Sequence, residues 1–92
     1  MALLGDSEMG DRLAELPGWQ RSGDAIAKTF ARGDFAGSVR FVESIVEPAE
    51  AMGHHPDLEI SWDKVTVSIS THSEGGITTA DFELAAKIDA LA

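Results

Sequence analysis

The three histidines of this chain, at positions 54, 55 and 72, are the residues best suited to chemistry. An imidazole changes its charge near neutral pH, so it can give or take a proton in water-adding and water-removing reactions. Random placement would seldom put two histidines side by side and a third nearby. Their concentration in the second half of a 92-residue chain therefore predicts an enzyme.

The residues around the histidine pair predict its backbone conformation and its electrostatic surroundings. Gly53 is typical of the left-handed residue that ends a helix, so His54 and His55 are expected just past that end. His55 precedes Pro56, which favours extended backbone. The negative end of the helix and Glu50, four residues before His54, favour a protonated imidazole. Adjacent residues of an extended segment project differently, so one histidine is expected to transfer the proton and the other to orient the ligand.

Helical and alternating patterns follow one another along the chain. The predicted elements are a helix at 7–16 capped by Asp6 or Ser7, strands at 19–21 and 25–30, a helix at 35–52, strands at 58–62 and 65–71 joined by Asp63-Lys64, and a helix opened by a Thr78/Asp81 capping box. This order predicts an α+β fold: one four-stranded antiparallel sheet with helices packed on one face. The other face stays polar and carries His72 at the end of the fourth strand, where a ligand can reach it.

The apolar positions predict which side chains face inward. The expected inward residues are Met9, Leu13 and Leu16; Phe35, Val39, Val42, Val46 and Ala49; Leu58, Ile60 and Trp62; Val65, Val67 and Ile69; and Leu84, Ala85, Ile88 and Leu91. Pro48 lies inside the long helix, where it lacks an amide donor and crowds the carbonyl of Ser44. A kink or an early end near Glu47 is therefore an open alternative.

Composition narrows the function further. The length predicts a single domain, residues 1–92, with a shallow or shared site. A net charge of −9 argues against nucleic acid and favours a small polar ligand. The lack of cysteine suits the cytoplasm, and no apolar run is long enough for a membrane span. Adjacent histidines cannot easily hold one ion, so we expect neither a metal nor a cofactor.

The spaced residues resemble the pterin-4a-carbinolamine dehydratase family, also known as the dimerization cofactor of a hepatocyte transcription factor. The resemblance rests on Glu50-x3-His54-His55-Pro56-x5-Trp62-x9-His72-x8-Asp81, with support from Gly18-Trp19, Asp34-Phe35, Gly75-Gly76 and Ile88-Asp89. It covers nearly the whole chain.

The resemblance implies dehydration of a 4a-hydroxytetrahydropterin to quinonoid dihydropterin and water, in the recycling of tetrahydrobiopterin after aromatic amino acid hydroxylases. The catalytic residues that it implies are Glu50, His54, His55 and His72. The substrate-binding residues that it implies are Trp19, His54, His55, Pro56, Thr71, His72, Ser73 and Glu74. It leaves open which histidine is the acid and which the base, and it implies a homodimer or homotetramer.

Several assignments have an alternative. Trp19 is equally typical of a packed anchor for the first hairpin, and Trp62 is better explained as core. Asp81 is explained mainly by helix capping. The whole chain has an alternative function as a protein-interaction cofactor, in which exposed sheet edges and apolar helix faces dock a partner.

Overall fold

The structure, a computed structural model that describes residues 2–92, has the three helices and four strands that the sequence predicts. Met1, the first residue of the predicted domain, lies outside the described residues. The elements are α1 (Asp6–Ala14), β1 (Gln20–Ser22), β2 (Ala25–Ala31), α2 (Phe35–Met52), β3 (Asp57–Ser61), β4 (Lys64–Ile69), a 3₁₀ helix (His72–Glu74) and α3 (Thr79–Leu91). The predicted α+β order is confirmed. No helix among residues 2–92 is long and apolar enough to cross a membrane.

The four strands form one antiparallel sheet in the order β1-β2-β4-β3. Val65, Val67 and Ile69 of the central strand β4 are fully buried on the face that the helices cover, as predicted. Ile26 and Phe30 of β2 pair with Ile69 and Val65 and extend the same apolar layer. The alternating side chains of β4 leave Thr66 and Ser68 on the open face, which is therefore polar as expected.

Helix α2 buries only part of the predicted stripe: Ala49 is buried and Val42 packs partly against the core, as predicted. Its buried residues are Ser38, Phe41, Ile45 and Ala49, whereas Phe35 and Val46 are 58% and 57% exposed. Apolar residues surround most of α2, so periodicity alone does not choose between two stripes. Tertiary packing selects the one that brings Phe41 onto Phe30, with 4.9 Å between ring centroids. The helix continues past Pro48 to Met52, so the early end near Glu47 is wrong.

The outer helices differ from prediction mainly at their ends. Gly5, which has no side chain to cap with, is the N-cap of α1, so the cap assigned to Asp6 or Ser7 is wrong. The Thr78/Asp81 capping box of α3 is confirmed. The predicted burial of Leu84, Ala85 and Ile88 is also confirmed, but Leu91 in the last turn of α3 is 40% exposed.

The second hairpin turns one residue earlier than predicted. Ser61 pairs with Lys64, so the turn is Trp62-Asp63 and not Asp63-Lys64. This places Trp62 at the tip with a φ of +50° and a side chain that is 71% exposed, so its assignment to the core is wrong. The Ser38 hydroxyl donates to the Trp62 carbonyl over 2.8 Å and holds the turn against α2. Leu58 and Ile60 face the helices but remain 38% and 37% exposed, because β3 is an edge strand.

Replacing Trp62 with Asn should stabilise the protein. A left-handed backbone conformation costs most L-residues roughly 1–2 kcal/mol, and Asn tolerates it better than most. Because the indole is mostly exposed, little packing is lost with it. We expect the free energy of unfolding in urea, followed by the fluorescence of the remaining Trp19, to rise by about 0.5–1 kcal/mol. Trp62→Val, which is β-branched, should lower it, and an Asn variant less stable than wild type would contradict the strain argument.

Candidate active site

The end of α2 places His54 at the edge of the sheet. Gly53 adopts the left-handed conformation, with φ +60° and ψ +31°, as its position predicts. The amide of Gly53 donates to the Glu50 carbonyl over 3.1 Å, and that of His54 donates to the Ala49 carbonyl over 3.0 Å. These bonds satisfy the last carbonyls of the helix and turn the chain sharply toward β3. The backbone that carries the histidine pair is therefore fixed by the helix end itself.

His54 lies against a fully buried carboxylate. Its Nε2 is 2.6 Å from Oδ1 of Asp81, and the two side chains are 14% and 0% exposed. The other carboxylate oxygen, Oδ2, accepts from the Thr71 hydroxyl over 2.9 Å and from the Thr78 amide over 2.8 Å. Asp81 thus completes the capping box of α3, whose N-cap is Thr78, and is also the partner of His54. A buried charge needs such donors, and here three groups supply them.

This contact assigns the tautomer of the His54 ring. A carboxylate only accepts hydrogen bonds, so Nε2 of His54 carries the hydrogen that lies between the ring and Asp81. Nδ1 of His54 has no protein partner among residues 2–92. In the neutral ring Nδ1 is therefore the lone-pair nitrogen. It is the atom of His54 that can take a proton from a ligand.

His55 pairs with the second carboxylate. Its Nε2 is 2.6 Å from Oε2 of Glu50, the same separation as in the His54 pair, but the side chains are 64% and 66% exposed. Solvent weakens a pair of this kind and leaves both side chains free to reorient. Glu50 therefore contacts His55 and not His54. The two adjacent histidines do point in different directions, each toward its own carboxylate.

His72 lies on a small loop at the end of β4. The strand ends at Ile69, two residues before the predicted end, and Thr71 pairs with Gly76 as an isolated bridge. Between them His72–Glu74 form a 3₁₀ helix that ends at Gly75, with φ +72°. The exposed His72 side chain has no hydrogen-bond partner within residues 2–92. Its ring is available to a ligand.

All three histidines line one open pocket of about 210 Å³. Its walls are Gly53, His54, His55, Ser70, Thr71, His72 and Ser73. Most ligand pockets for drug-sized molecules are roughly 300–1,000 Å³, so this one holds part of such a molecule and leaves the rest uncovered. A shallow polar pocket with three imidazoles can bind one edge of a heterocycle and move protons on it.

The remaining candidates lie outside this pocket. Glu74 is exposed on the 3₁₀ helix, and Pro56 lines a neighbouring apolar groove of about 280 Å³ together with Val42, Ile45, Val46, Ala49, Glu50, His55 and Leu58. Trp19 is only 4% exposed and packs edge-on against Phe30 in the core. Its indole nitrogen is 3.1 Å from each oxygen of Asp89, which also accepts from Lys28. The structure thus places Trp19 in the scaffold.

The comparison with protein families decides the class of this chain. Residues 2–91 match the family model described as pterin 4 alpha carbinolamine dehydratase. The chain belongs to this family. The resemblance inferred from the spaced histidines is confirmed, and at the level of the family so is the prediction of an enzyme of the hydro-lyase class.

Individual relatives match over nearly their whole length. A protein of Roseiflexus castenholzii that carries the family's name is 52% identical over 96% of this chain and 95% of its own. One from Thermosynechococcus vestitus is 51% identical over 97% and 94%. A crystal structure from Brucella melitensis, described as a transcriptional coactivator/pterin dehydratase, superposes with a TM-score of 0.93 at 36% identity and covers 98% of each chain.

A more distant structure shares part of the fold. It is a pterin dehydratase-like protein identified as a RuBisCO assembly factor in the alpha-carboxysome, with a TM-score of 0.63 and 26% identity over 80% of this chain and 86% of its own. The fold is therefore found in proteins described with quite different roles.

Asp81 is the site residue whose role sequence reasoning missed. Its place in the spaced motif was a signal, but the Thr78/Asp81 capping pattern already accounted for a carboxylate there. The contact with His54 spans 27 residues and uses the oxygen that does not cap the helix. No local pattern reveals such a contact.

Replacing Trp19 with Phe should weaken the fold without affecting a pterin in the histidine pocket. The change removes the indole donor to Asp89, and the loss of a partly buried hydrogen bond to a charged group costs about 1–3 kcal/mol. We expect that loss in the free energy of unfolding, with KM for a pterin substrate unchanged. Phe35→Leu, at an exposed position, is the matched control and should change neither quantity. A raised KM at unchanged stability would instead place Trp19 against the ligand.

Proposed function

We propose that the chain acts as a single domain that dehydrates a 4a-hydroxytetrahydropterin to quinonoid dihydropterin and water by histidine acid–base catalysis. The observation that carries the proposal is the pocket in which His54, His55 and His72 meet, with His54 held by the buried Asp81. Membership of the dehydratase family supports the substrate class. The reaction needs one proton given and one taken, which two imidazoles can supply.

His54 is the proposed base. The substrate carbon that bears the hydroxyl is bonded to a ring nitrogen, and forming the carbon–nitrogen double bond releases that nitrogen's proton. Nδ1 of His54 accepts it, since Nε2 already donates to Asp81. The Asp81 carboxylate orients the ring and stabilises the imidazolium that forms, as in other His–Asp pairs. The low exposure of the pair keeps this interaction strong.

His72 is the proposed acid. The carbon–oxygen bond breaks as the departing hydroxyl takes a proton from the His72 imidazolium and leaves as water. An exposed ring without a protein partner can recover that proton from solvent for the next turnover. The net result is loss of one water molecule, and the proton taken by His54 balances the one given by His72.

His55 and Glu50 are proposed to hold the pterin. Their exposed contact leaves the His55 ring adaptable, so it can turn toward a polar edge of the ligand while Glu50 keeps it within reach. Ser73 lines the same pocket, whereas Pro56 and Glu74 border it as proposed contacts of the uncovered part of the ligand. Trp19 has no place in this set, because it is buried in the core.

The substrate's chemistry points to its source. A 4a-hydroxytetrahydropterin is formed when an aromatic amino acid hydroxylase splits O2: one oxygen atom hydroxylates the amino acid, and the other remains on C4a of the tetrahydropterin as a hydroxyl group. We place the reaction after such a hydroxylase, in the recycling of tetrahydrobiopterin. A cysteine-free chain fits the reducing cytoplasm as its location.

Changing His54 to Ala should abolish most of the dehydration. Removing a general base typically costs roughly 10²–10⁴-fold in rate. The assay follows the loss of 4a-hydroxytetrahydropterin that an aromatic hydroxylase generates in place, with wild-type protein, His54→Ala and a chelator-treated sample. We expect acceleration by wild type that survives chelation and is lost in the variant. His55→Ala is the comparison, and it should raise KM more than it lowers kcat.

Two results would count against this proposal. A wild-type protein that does not accelerate the loss of substrate would remove the dehydratase function. Intact turnover by His54→Ala, with the variant's fold verified by circular dichroism, would show that His54 is not the base. It would not contradict the dehydratase function itself.

The outer face of α2 and the edge strand β3 are proposed as a surface for self-association into a dimer or tetramer. Val46 is more than half exposed there, and all residues of β3 are exposed. An unpaired strand edge with apolar neighbours is usually covered in stable proteins. The same surface supports the alternative function, docking of a partner protein, and the Brucella melitensis structure described as a coactivator is consistent with it.

Replacing Val46 with Glu should break this association without stopping catalysis. A carboxylate in an apolar interface is costly, while Val46 is not among the residues that line the histidine pocket. Analytical ultracentrifugation should show a smaller mass for the variant than for wild type, with turnover per chain retained. Glu47→Gln, on the next exposed position of α2, is the control and should keep the wild-type mass. A monomeric wild type at micromolar concentration would refute the self-association.

A further inference from the structure

Two buried threonine hydroxyls lie directly behind the His54–Asp81 pair. Thr71 is 8% exposed and Thr78 is fully buried. Their Oγ1 atoms are 2.7 Å apart, and Oγ1 of Thr71 also donates to Oδ2 of Asp81 over 2.9 Å. The proton-transfer scheme above uses neither hydroxyl. Burying two hydroxyl groups is costly unless they are bonded, so their arrangement has a direction that can be worked out.

The hydrogens of this network run toward Asp81. Thr71 has one hydroxyl hydrogen, and it is donated to the carboxylate. The hydrogen of the 2.7 Å contact then comes from Thr78, whose oxygen in turn accepts from the Ala80 amide. The opposite direction would leave Asp81 Oδ2 facing a lone pair of Thr71. This series of hydrogen bonds therefore ends on the Asp81 carboxylate. After the Thr71 hydroxyl and the Thr78 amide, His54 is the third donor to that carboxylate, and it bonds the other oxygen.

The backbone of Thr71 closes the loop that carries His72. Its amide donates to the Gly76 carbonyl over 2.8 Å, and its carbonyl accepts from the Glu74 amide over 3.0 Å. Thr71 also immediately precedes His72 at the start of the 3₁₀ helix. The side chain of Thr71 is thus bonded to Asp81, the partner of His54, and its main chain sets the position of His72.

We propose that Thr71 is a positioning residue of the acid–base pair, which fixes the Asp81 carboxylate and hence the His54 tautomer while it anchors the His72 loop. The inference deepens the proposed function and rests on it for the roles of the two histidines. It also revises the substrate-binding role that the family resemblance implies for Thr71. That residue lines the pocket, but its hydroxyl is bonded inward to Asp81 and Thr78 and is not directed to a ligand.

Thr71→Val tests the hydroxyl, since it keeps the shape and removes the donor. Without this donor, Oδ2 of Asp81 keeps only the Thr78 amide, so the carboxylate is held less firmly and can shift away from His54. Small displacements of catalytic groups cost up to about a hundredfold in rate, so we expect kcat to fall roughly ten- to a hundredfold with KM within about twofold of wild type. Thr71→Ser, which keeps the hydroxyl, should restore kcat. A raised KM with unchanged kcat would make Thr71 a substrate contact and overturn the proposal.

The tautomer of His54 gives a second readout that needs no substrate. In ¹⁵N-resolved NMR spectra of the neutral ring, wild type and Thr71→Ser should show the hydrogen on Nε2. Thr71→Val should show a mixture of both tautomers. A wild-type His54 with its hydrogen on Nδ1, or a Thr71→Val spectrum identical to wild type, would overturn the proposal.

These readouts separate the two proposals. If wild type fails to dehydrate the pterin, the proposed function fails, yet the NMR comparison still decides whether Thr71 positions His54. If Thr71→Val does not fold, the wild-type spectrum together with Thr71→Ser and Thr71→Ala retains the test, because Ala also lacks the hydroxyl and should show the mixed tautomers.

Discussion

The buried carboxylate of Asp81 is the interaction on which the site depends. It accepts from His54, Thr71 and the Thr78 amide, so its two oxygens join the end of α2, the end of β4 and the start of α3. An unpartnered charge at this depth would be strongly destabilising. The three elements must therefore meet in one arrangement, and that arrangement also orients the ring of His54. The hydrogen bonds that stabilise this part of the fold are thus the ones that orient the proposed base.

The rest of the fold brings these three chain segments together. Strand β4 is fixed beneath the helices by three fully buried residues, Val65, Val67 and Ile69. The end of the strand, which leads to Thr71, therefore has a defined position. Gly53 turns the chain at the end of α2 and brings His54 over the start of α3. The first turn of that helix has a partial positive charge, which favours a carboxylate at Asp81. The capping bond between the Thr78 amide and Oδ2 thus positions the Asp81 carboxylate, and His54 bonds to the other oxygen, Oδ1.

Sequence patterns predicted what is set by short-range rules. The helix bounds 35–52, the left-handed Gly53 and the capping box of α3 all follow from local backbone requirements, and the structure has them. Alternation also identified the buried residues of β4. The errors arise where local signals are degenerate. A slip of one residue in the second hairpin turn moves Trp62 from core to solvent, because strand side chains alternate with a period of two.

Tertiary contacts account for the other differences. Helix α2 has two apolar stripes, and only packing against Phe30 selects the one with Phe41. Trp19 belongs to a spaced motif, but its contacts with Phe30 and Asp89 arise from residues far away in the chain. The link between Asp81 and His54 is of the same kind. Sequence could therefore predict which residues form the site better than it could predict what each residue contacts.

The His54–Asp81 and His55–Glu50 pairs consist of the same chemical groups but differ in burial. Both have an Nε2 to oxygen distance of 2.6 Å, yet one pair lies against a fully buried carboxylate and the other is mostly exposed. In low dielectric surroundings the His54–Asp81 contact is strong and holds one tautomer, whereas water competes for every bond of the His55–Glu50 contact. A base must present the same lone pair at each turnover, but a ligand contact must adjust to what it binds. The difference in burial thus supports the proposal that His54 transfers the proton and that its neighbour contacts the ligand.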